Sequence, residues 1–327
     1  MAELMDVSTA NALIDAGARL HIAGDEAALR RLKAGCWIGG TIPYFLTLRG
    51  GVTDRERVFV TQLPQSLTDA RISFVSAEEL GRIPDEAPKN GFCLVILPGM
   101  SAVHAKYALE AEQLPGIFDR PVVGWVAGVH LSELGKIKPK VFNGQTGEIT
   151  DERLAVLHAQ LPGSLIATAG IVNVFEQGHG DTFVFGKTGF SASRCRINGS
   201  EASFYDYVMD RKLDLRFPLV ADRSGAIVNV SFQALDDENR AVKFYAPVLD
   251  NVEYRQAAPV DDYRSSFAEQ TKNLAGSPAF SCNCILNYLY GELEGERPIP
   301  ISGPATFGEI AYVLLNQTMV YLELHQV

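Results

Sequence analysis

The sequence predicts an α/β (α+β) fold of two packed halves, residues 1–161 and 162–327, each a mixed, largely antiparallel β-sheet flanked by helices. Three observations carry this. The 327 residues, 47% of them hydrophobic, are too many for one minimal core and too few for three domains. In the first half, two continuous apolar runs bracket a helical pattern between Phe92 and Val129, which marks one β-α-β unit with buried parallel strands. In the second half, short strand-like segments alternate with turn residues from Thr182 to Pro247, as in antiparallel sheets.

Taken in order, Asp25 with Glu26, Ala28, Leu29 and Leu32 reads as a capped helix ending at Gly35. The run Cys36 to Leu48 begins as a strand and is interrupted by Gly39, Gly40, Thr41 and Pro43, an unusual place for glycines. Val58 to Leu63 is the next strand, and Ser76 with Glu79 has capping-box spacing. In the β-α-β unit, Phe92 to Leu97 is one strand, Ser101 starts the helix, and Pro121 to Val129 is the second strand. Lys138 to Phe142 and Arg153 to Leu161 then read as antiparallel strands, with a turn at Asn143-Gly144.

The second half is predicted to hold strands at Thr182 to Phe185 and Phe190 to Ile197, a turn at Asn198-Gly199, and a helix from Ser200 to about Arg211. Strands at Phe217 to Ala221, Ala226 to Leu235 and Ala241 to Pro247 follow, separated by turns at Asp222 to Gly225 and Asp236 to Asn239. A helix from Asp262 to Leu274, an apolar stretch from Ala279 to Leu286, and strands at Phe307 to Leu314 and Met319 to Leu324 complete the chain.

A net charge of −10 lacks the basic footprint that nucleic acid or an anionic membrane requires, so the expected partner is a small-molecule ligand or a protein. Five cysteines, at 36, 93, 195, 282 and 284, are odd in number and irregularly spaced, which points to a reducing, cytoplasmic compartment. The N-terminus has neither the basic nor the apolar region of a secretory signal, and no stretch is apolar enough for a membrane helix.

Common catalytic signatures are missing. Gly186-Lys187-Thr188 is not a P-loop, because Asp181 stands where its first glycine belongs, and no Gly-x-Gly-x-x-Gly follows the strand at Phe92 to Leu97. Glu176, His179 and Asp181 share a glycine-rich loop and offer oxygen and nitrogen ligands to a metal, with a solvated turn as the alternative. Cys282 and Cys284 lie two apart, so in a strand both thiols face one side, where they meet a soft metal, a haem iron or an electrophile, or pack as small hydrophobes. His104 and His158 fall in apolar patterns and read as satisfied structural residues. His130 follows a strand end, the place from which α/β sheets present ligand-contacting groups.

The segments Ala279 to Cys282, Pro298 to Ile310 and Asn316 to Leu322 resemble, in order and spacing, the closing part of the FIST (F-box and intracellular signal transduction) domain family. Ile38 to Thr41, and Val122 to Gly128 with Val141 to Gly144, are similar to that family's N-terminal module. Cys284 and Ile285 replace the Gly-Arg of the family's Cys-x-Gly-Arg pattern. The resemblance implies a stand-alone sensory module of two α/β halves that binds an amino acid or haem and signals through a separate protein.

On this reading Gly39, Gly40, Thr41, His130, Cys282, Gly308 and Glu309 surround a ligand pocket between the halves. Gly39, Gly40, Gly124 and Gly128 let a ligand or another backbone come close, and Glu309 in a half-buried strand pairs with an amine. The enzyme alternative makes Cys282 a nucleophile with His130 or His179 as base and Glu309 as orienter. The metal or haem alternative recruits Glu176, His179 and Cys284.

Overall fold

The β-α-β unit forms as the apolar runs require. Gly91–Pro98 and Val122–Ala127 pair in parallel, Cys93 opposite Val122 through Pro98 opposite Ala127, with helix Ala102–Glu110 crossing between them. The computed structural model in which this is seen describes residues 2–223, 226–272, 274, 278–295 and 301–327. Both strands are continuous in hydrophobicity because both faces are covered. Leu94, Ile96, Val123 and Trp125 enter the central core, while Cys93, Val95, Leu97, Val122 and Val126 pack against the core that contains Val103 and Tyr107 of the helix.

This sheet is extended by strands Leu154–Gln160 and Asp69–Val75 on one side and by Glu309–Ala311 and Val313–Leu315 on the other. Residues near the end of the chain therefore complete a sheet begun by residues in its first third. A second sheet holds another parallel pair, Leu20–Gly24 with Trp37–Thr41, joined by the short helix Glu26–Leu29 that Asp25 caps. A third runs Leu165–Val172, Met319–Gln326, Phe280–Cys284, Gly303–Thr306, Tyr44–Thr47 and Gly50–Thr53. The segment 183–256 forms one six-stranded and one three-stranded sheet around the aromatic cluster Phe183, Phe185, Phe204 and Phe244. Mixed, mostly antiparallel sheets flanked by short helices make this an α+β protein. Among the described residues no helix is long and apolar enough to cross a membrane.

Several expectations change. Gly39 and Gly40 do not break their strand; both lie inside Trp37–Thr41, and the chain turns at Ile42-Pro43 instead. A Cβ on Gly40 would come within 2.7 Å of Ile96 and 2.9 Å of Trp125, so this glycine lets two sheets close on each other. Ser200–Ser203 is a strand, not the start of a helix. Asn198 and Gly199 both take positive φ, 49° and 84°, closing a two-residue hairpin, and the helix begins only after Ser203 caps it at Phe204. The apolar run after Phe280 splits into the strand to Cys284 and helix Ile285–Tyr290. Ser224 and Gly225 of one predicted turn, Asn273 of the predicted helix, and Pro298 to Pro300 of the family-like segment lie outside the described residues.

Candidate functional site

Two parallel pairs, in two sheets packed face to face, bring their carboxyl ends to one edge of the protein. Gly128 N–H donates to Thr41 O at 2.7 Å, tying the end of one pair to the end of the other. In α/β sheets such ends are where loops diverge and leave a crevice for a ligand. A cavity of about 320 Å³ lies there, walled by Asp25 and Glu26 after the first strand, Thr41 and Ile42 at the end of the second, Gly128 and Val129 after the third, and by Arg30, Arg55, Glu133 and Lys138.

Its charges are of both signs and engage one another. Arg55 donates to Asp25 at 2.7 Å and, in fork geometry, to Glu133 at 2.9 and 3.1 Å. Glu26 accepts from Lys140 Nζ on both oxygens at 2.7 Å and from Arg30 at 2.8 Å. Burial raises the Glu26 carboxyl, but the bonds from Lys140 and Arg30 outweigh it and hold it below the ordinary value. Thr41 Oγ1 accepts from Lys140 N at 2.9 Å, which ties the residue preceding strand Val141–Asn143 to a residue of the cavity wall. Such a site can exchange its internal ion pairs for a ligand's ammonium and carboxylate.

Of the residues expected from sequence, Thr41 lines this cavity and His130 adjoins it. The His130 ring stacks on Tyr44, and its Nδ1 lies 2.8 Å from Ser132 Oγ. Cys282, Gly308 and Glu309 lie elsewhere, inside the packed core, and are not brought together with Thr41 and His130 at this cavity. Gly39 and Gly124 meet backbone: a Cβ on Gly39 would sit 2.7 Å from Ile22 O, and one on Gly124 1.8 Å from Val95 O. Gly128 faces the Phe307 ring.

The core group has its own geometry. Glu309, fully buried, accepts on Oε2 from Thr318 N at 3.1 Å and Thr318 Oγ1 at 2.9 Å, with Thr306 Oγ1 at 3.4 Å from Oε1. Burial raises its carboxyl to about 8, against the opposing bonds from Thr318, Cys284 and Thr306. At neutral pH this side chain is therefore mostly the neutral acid. Cys282 donates its thiol to Gly124 O at 3.3 Å, and burial, then the neighbouring Glu309, pushes that thiol well above its ordinary value, as they do for Cys284. Thiols so placed stay protonated, and neither is presented as a thiolate nucleophile. The half-buried strand expected for Glu309 is thus a fully buried one, and the partner of its carboxyl is Thr318, not an amine.

Glu176 and His179 sit in the loop before Phe183, which hydrogen-bonds to Gln256 and Ala258, whereas Cys284 is in the core strand. Asp181 accepts from Asn198 and Tyr207. Among the described residues no group of three or more His, Cys, Asp or Glu side chains is placed to hold a metal ion. For haem, Cys282 and Cys284 are enclosed and His130 is engaged by Tyr44 and Ser132.

Sequence reading missed Asp25, Glu26, Arg55, Glu133 and Lys138 as site residues. Their one signal was position: Asp25 and Glu26 follow a strand end, but the strand Leu20–Gly24 was itself not predicted. His104 was expected to be satisfied, yet only its Nδ1 has a partner, Met100 N at 3.2 Å, and Nε2 is buried without one.

A family of unknown function (DUF6976) matches the chain over residues 5–325, and the chain belongs to that family. This overturns the FIST resemblance: the match covers nearly the whole sequence, and no FIST domain is found in it. The short glycine, proline and threonine segments that suggested it are ones that strand crossings favour in many folds. No curated protein and no solved structure matches.

Proposed function

We propose that this member of a family without known function is a cytoplasmic small-ligand-binding protein with a sensory role, and that its ligand is an amino acid or a similar zwitterion. One observation carries the reading: acidic and basic side chains face a single cavity of about 320 Å³ at the carboxyl ends of three strands. An α-amino acid brings an ammonium that Asp25, Glu26 or Glu133 can accept and a carboxylate that Arg55 or Arg30 can clamp. Because those groups are ion-paired with one another, ligand entry has to separate Arg55 from Glu133 or Asp25, which would move the loop bearing Glu133 and provide a change for a partner protein to read. The acidic charge of −10 supports a small or protein partner over nucleic acid or membrane. The five free cysteines support a reducing compartment.

The test is a melting-temperature screen of the common amino acids, followed by calorimetric titration. Binding should raise the melting temperature in proportion to ligand occupancy of the folded state. Arg55→Ala should weaken it by about tenfold or more, as expected for loss of a charge-assisted clamp. If no amino acid stabilises the protein at millimolar concentration, the reading fails.

A further inference from the structure

Of the sheet edges in the molecule, one is built unlike the rest. Leu165–Val172 ends its six-stranded sheet, pairing with Met319–Gln326 on one side and with no strand on the other. It is eight residues long, Leu-Ile-Ala-Thr-Ala-Gly-Ile-Val, with no charge and no proline. Among the described residues every other edge strand has five residues or fewer except Asp69–Val75, which has seven and exposes Asp69 and Arg71. Soluble proteins guard open edges with short strands or charges of this kind, because a bare row of N–H and C=O groups is a template for another strand. Leu165–Val172 has neither guard.

The register shows which of its groups are free. Val327 N–H donates to Ser164 O at 3.0 Å, so with Leu165 opposite Gln326 the even-numbered residues of the strand bond to Met319–Gln326 and the odd-numbered ones turn outward. Leu165 is already engaged on the outer side, where its N–H donates to Pro162 O at 3.0 Å and its carbonyl accepts from Asn90 Nδ2 at 3.0 Å. That leaves the N–H and C=O groups of Ala167, Ala169 and Ile171, which have no partner among the described residues. The free groups are therefore symmetric about Ala169. Around them Ala167, Thr168, Ala169 and Gly170 are small, while Ile166 and Ile171 stand 46% and 48% exposed.

We infer that this edge is a homodimer interface, to which a second copy of the chain adds its own Leu165–Val172, antiparallel, about a two-fold axis at Ala169. Ala169 then pairs with itself across the axis and Ala167 with Ile171, so the free N–H and C=O groups of both copies satisfy one another. The exposed Ile171 side chain comes to lie over the small Ala167 of the other copy. Because the strand carries no charge, no like charges face each other across the axis. A second copy fits better than a foreign strand, since it matches the free groups one for one, and a two-fold pairing uses up both edges and closes. The contact is narrow and mostly main-chain, which sets the dissociation constant on the order of 10 μM. None of these residues lines the charged cavity, so the inference stands apart from the amino-acid reading.

The test is analytical ultracentrifugation of the full chain from about 1 to about 300 μM, a range that brackets such a constant. The mass should rise from one chain toward two, and the backbone amides of Ala167, Ala169 and Ile171 should exchange about fivefold or more slowly at the upper concentration. Ala169→Pro removes an outward N–H and points its ring at the second copy without touching a bond to Met319–Gln326. Ile171→Lys places a charge on the edge at an exposed position and should leave the melting temperature of the dilute protein near wild type. Each should weaken association about tenfold or more, and Ile171→Lys carries the test if the proline variant does not fold. A single-chain mass throughout the range would leave the edge to a strand of another protein and overturn the inference. So would a doubled mass without slower exchange at the three amides, or folded variants that associate as wild type does.

Discussion

Replacing Glu309 by Gln converts a buried, titrating acid into a neutral group of the same shape that can still accept from Thr318. The folded carboxyl titrates at about 8, against an ordinary 4.5. Between those values the folded state holds a proton that the unfolded chain has released, so stability falls as pH rises, by about 1.4 kcal/mol per pH unit. Below the ordinary value both states are protonated and nothing is lost. Buried His21, lowered to about 3, His104, lowered to about 4, and His158, also lowered, have the opposite sign, adding stability as pH rises toward the ordinary histidine value. They are common to wild type and variant and cancel in the difference. From about pH 5.5 to about pH 8, wild type should therefore lose about 3 kcal/mol relative to Glu309→Gln. Urea unfolding at a series of pH values, comparing midpoints at constant slope, measures this directly. Parallel pH profiles for the two proteins would refute the assignment of a neutral, buried Glu309.

Three further outcomes follow from the packing. Iodoacetamide applied to the native protein should label Cys36, the half-exposed cysteine, well before the buried Cys282 and Cys284; mass spectrometry showing Cys282 labelled first would revive a nucleophilic role. Trp125→Phe removes the Nε1–H that donates to His21 Nε2 at 2.8 Å and strands that nitrogen in the core, at a cost of about 1–3 kcal/mol in denaturant unfolding. Gly124→Ala places a methyl against Val95 O and should cost several kcal/mol or prevent soluble expression, whereas a melting temperature equal to wild type would mean the two strands separate more easily than their contact implies.

Much of the secondary structure could be read in the sequence because it depends on local chemistry. The β-α-β unit from Gly91 to Ala127 was visible as apolar runs about a helical period, the Ser76 capping box as a pair of side chains three apart, and the Asn198-Gly199 hairpin as the dipeptide that accepts positive φ. The strand Leu165–Val172 was not, since one face meets solvent and its Ala, Thr and Gly residues give no strong alternation; pairing with Met319–Gln326 is what makes it a strand.

Composition and motif alone determined the α+β class, the cysteine inventory and the lack of a common catalytic signature. Only the tertiary structure decided what the singled-out residues do. Glu309 became a buried acid because residues 309–311 pair with Val122–Ala127, nearly two hundred positions away. Gly40 faces Trp125, not a ligand. The charged cavity draws Asp25, Thr41, Arg55, Gly128 and Glu133 from strand ends and the segments beyond them, which share no sequence pattern. A site assembled where separate strands end leaves no periodic trace in the chain, because what brings its residues together is the packing of two sheets and not the spacing along one element.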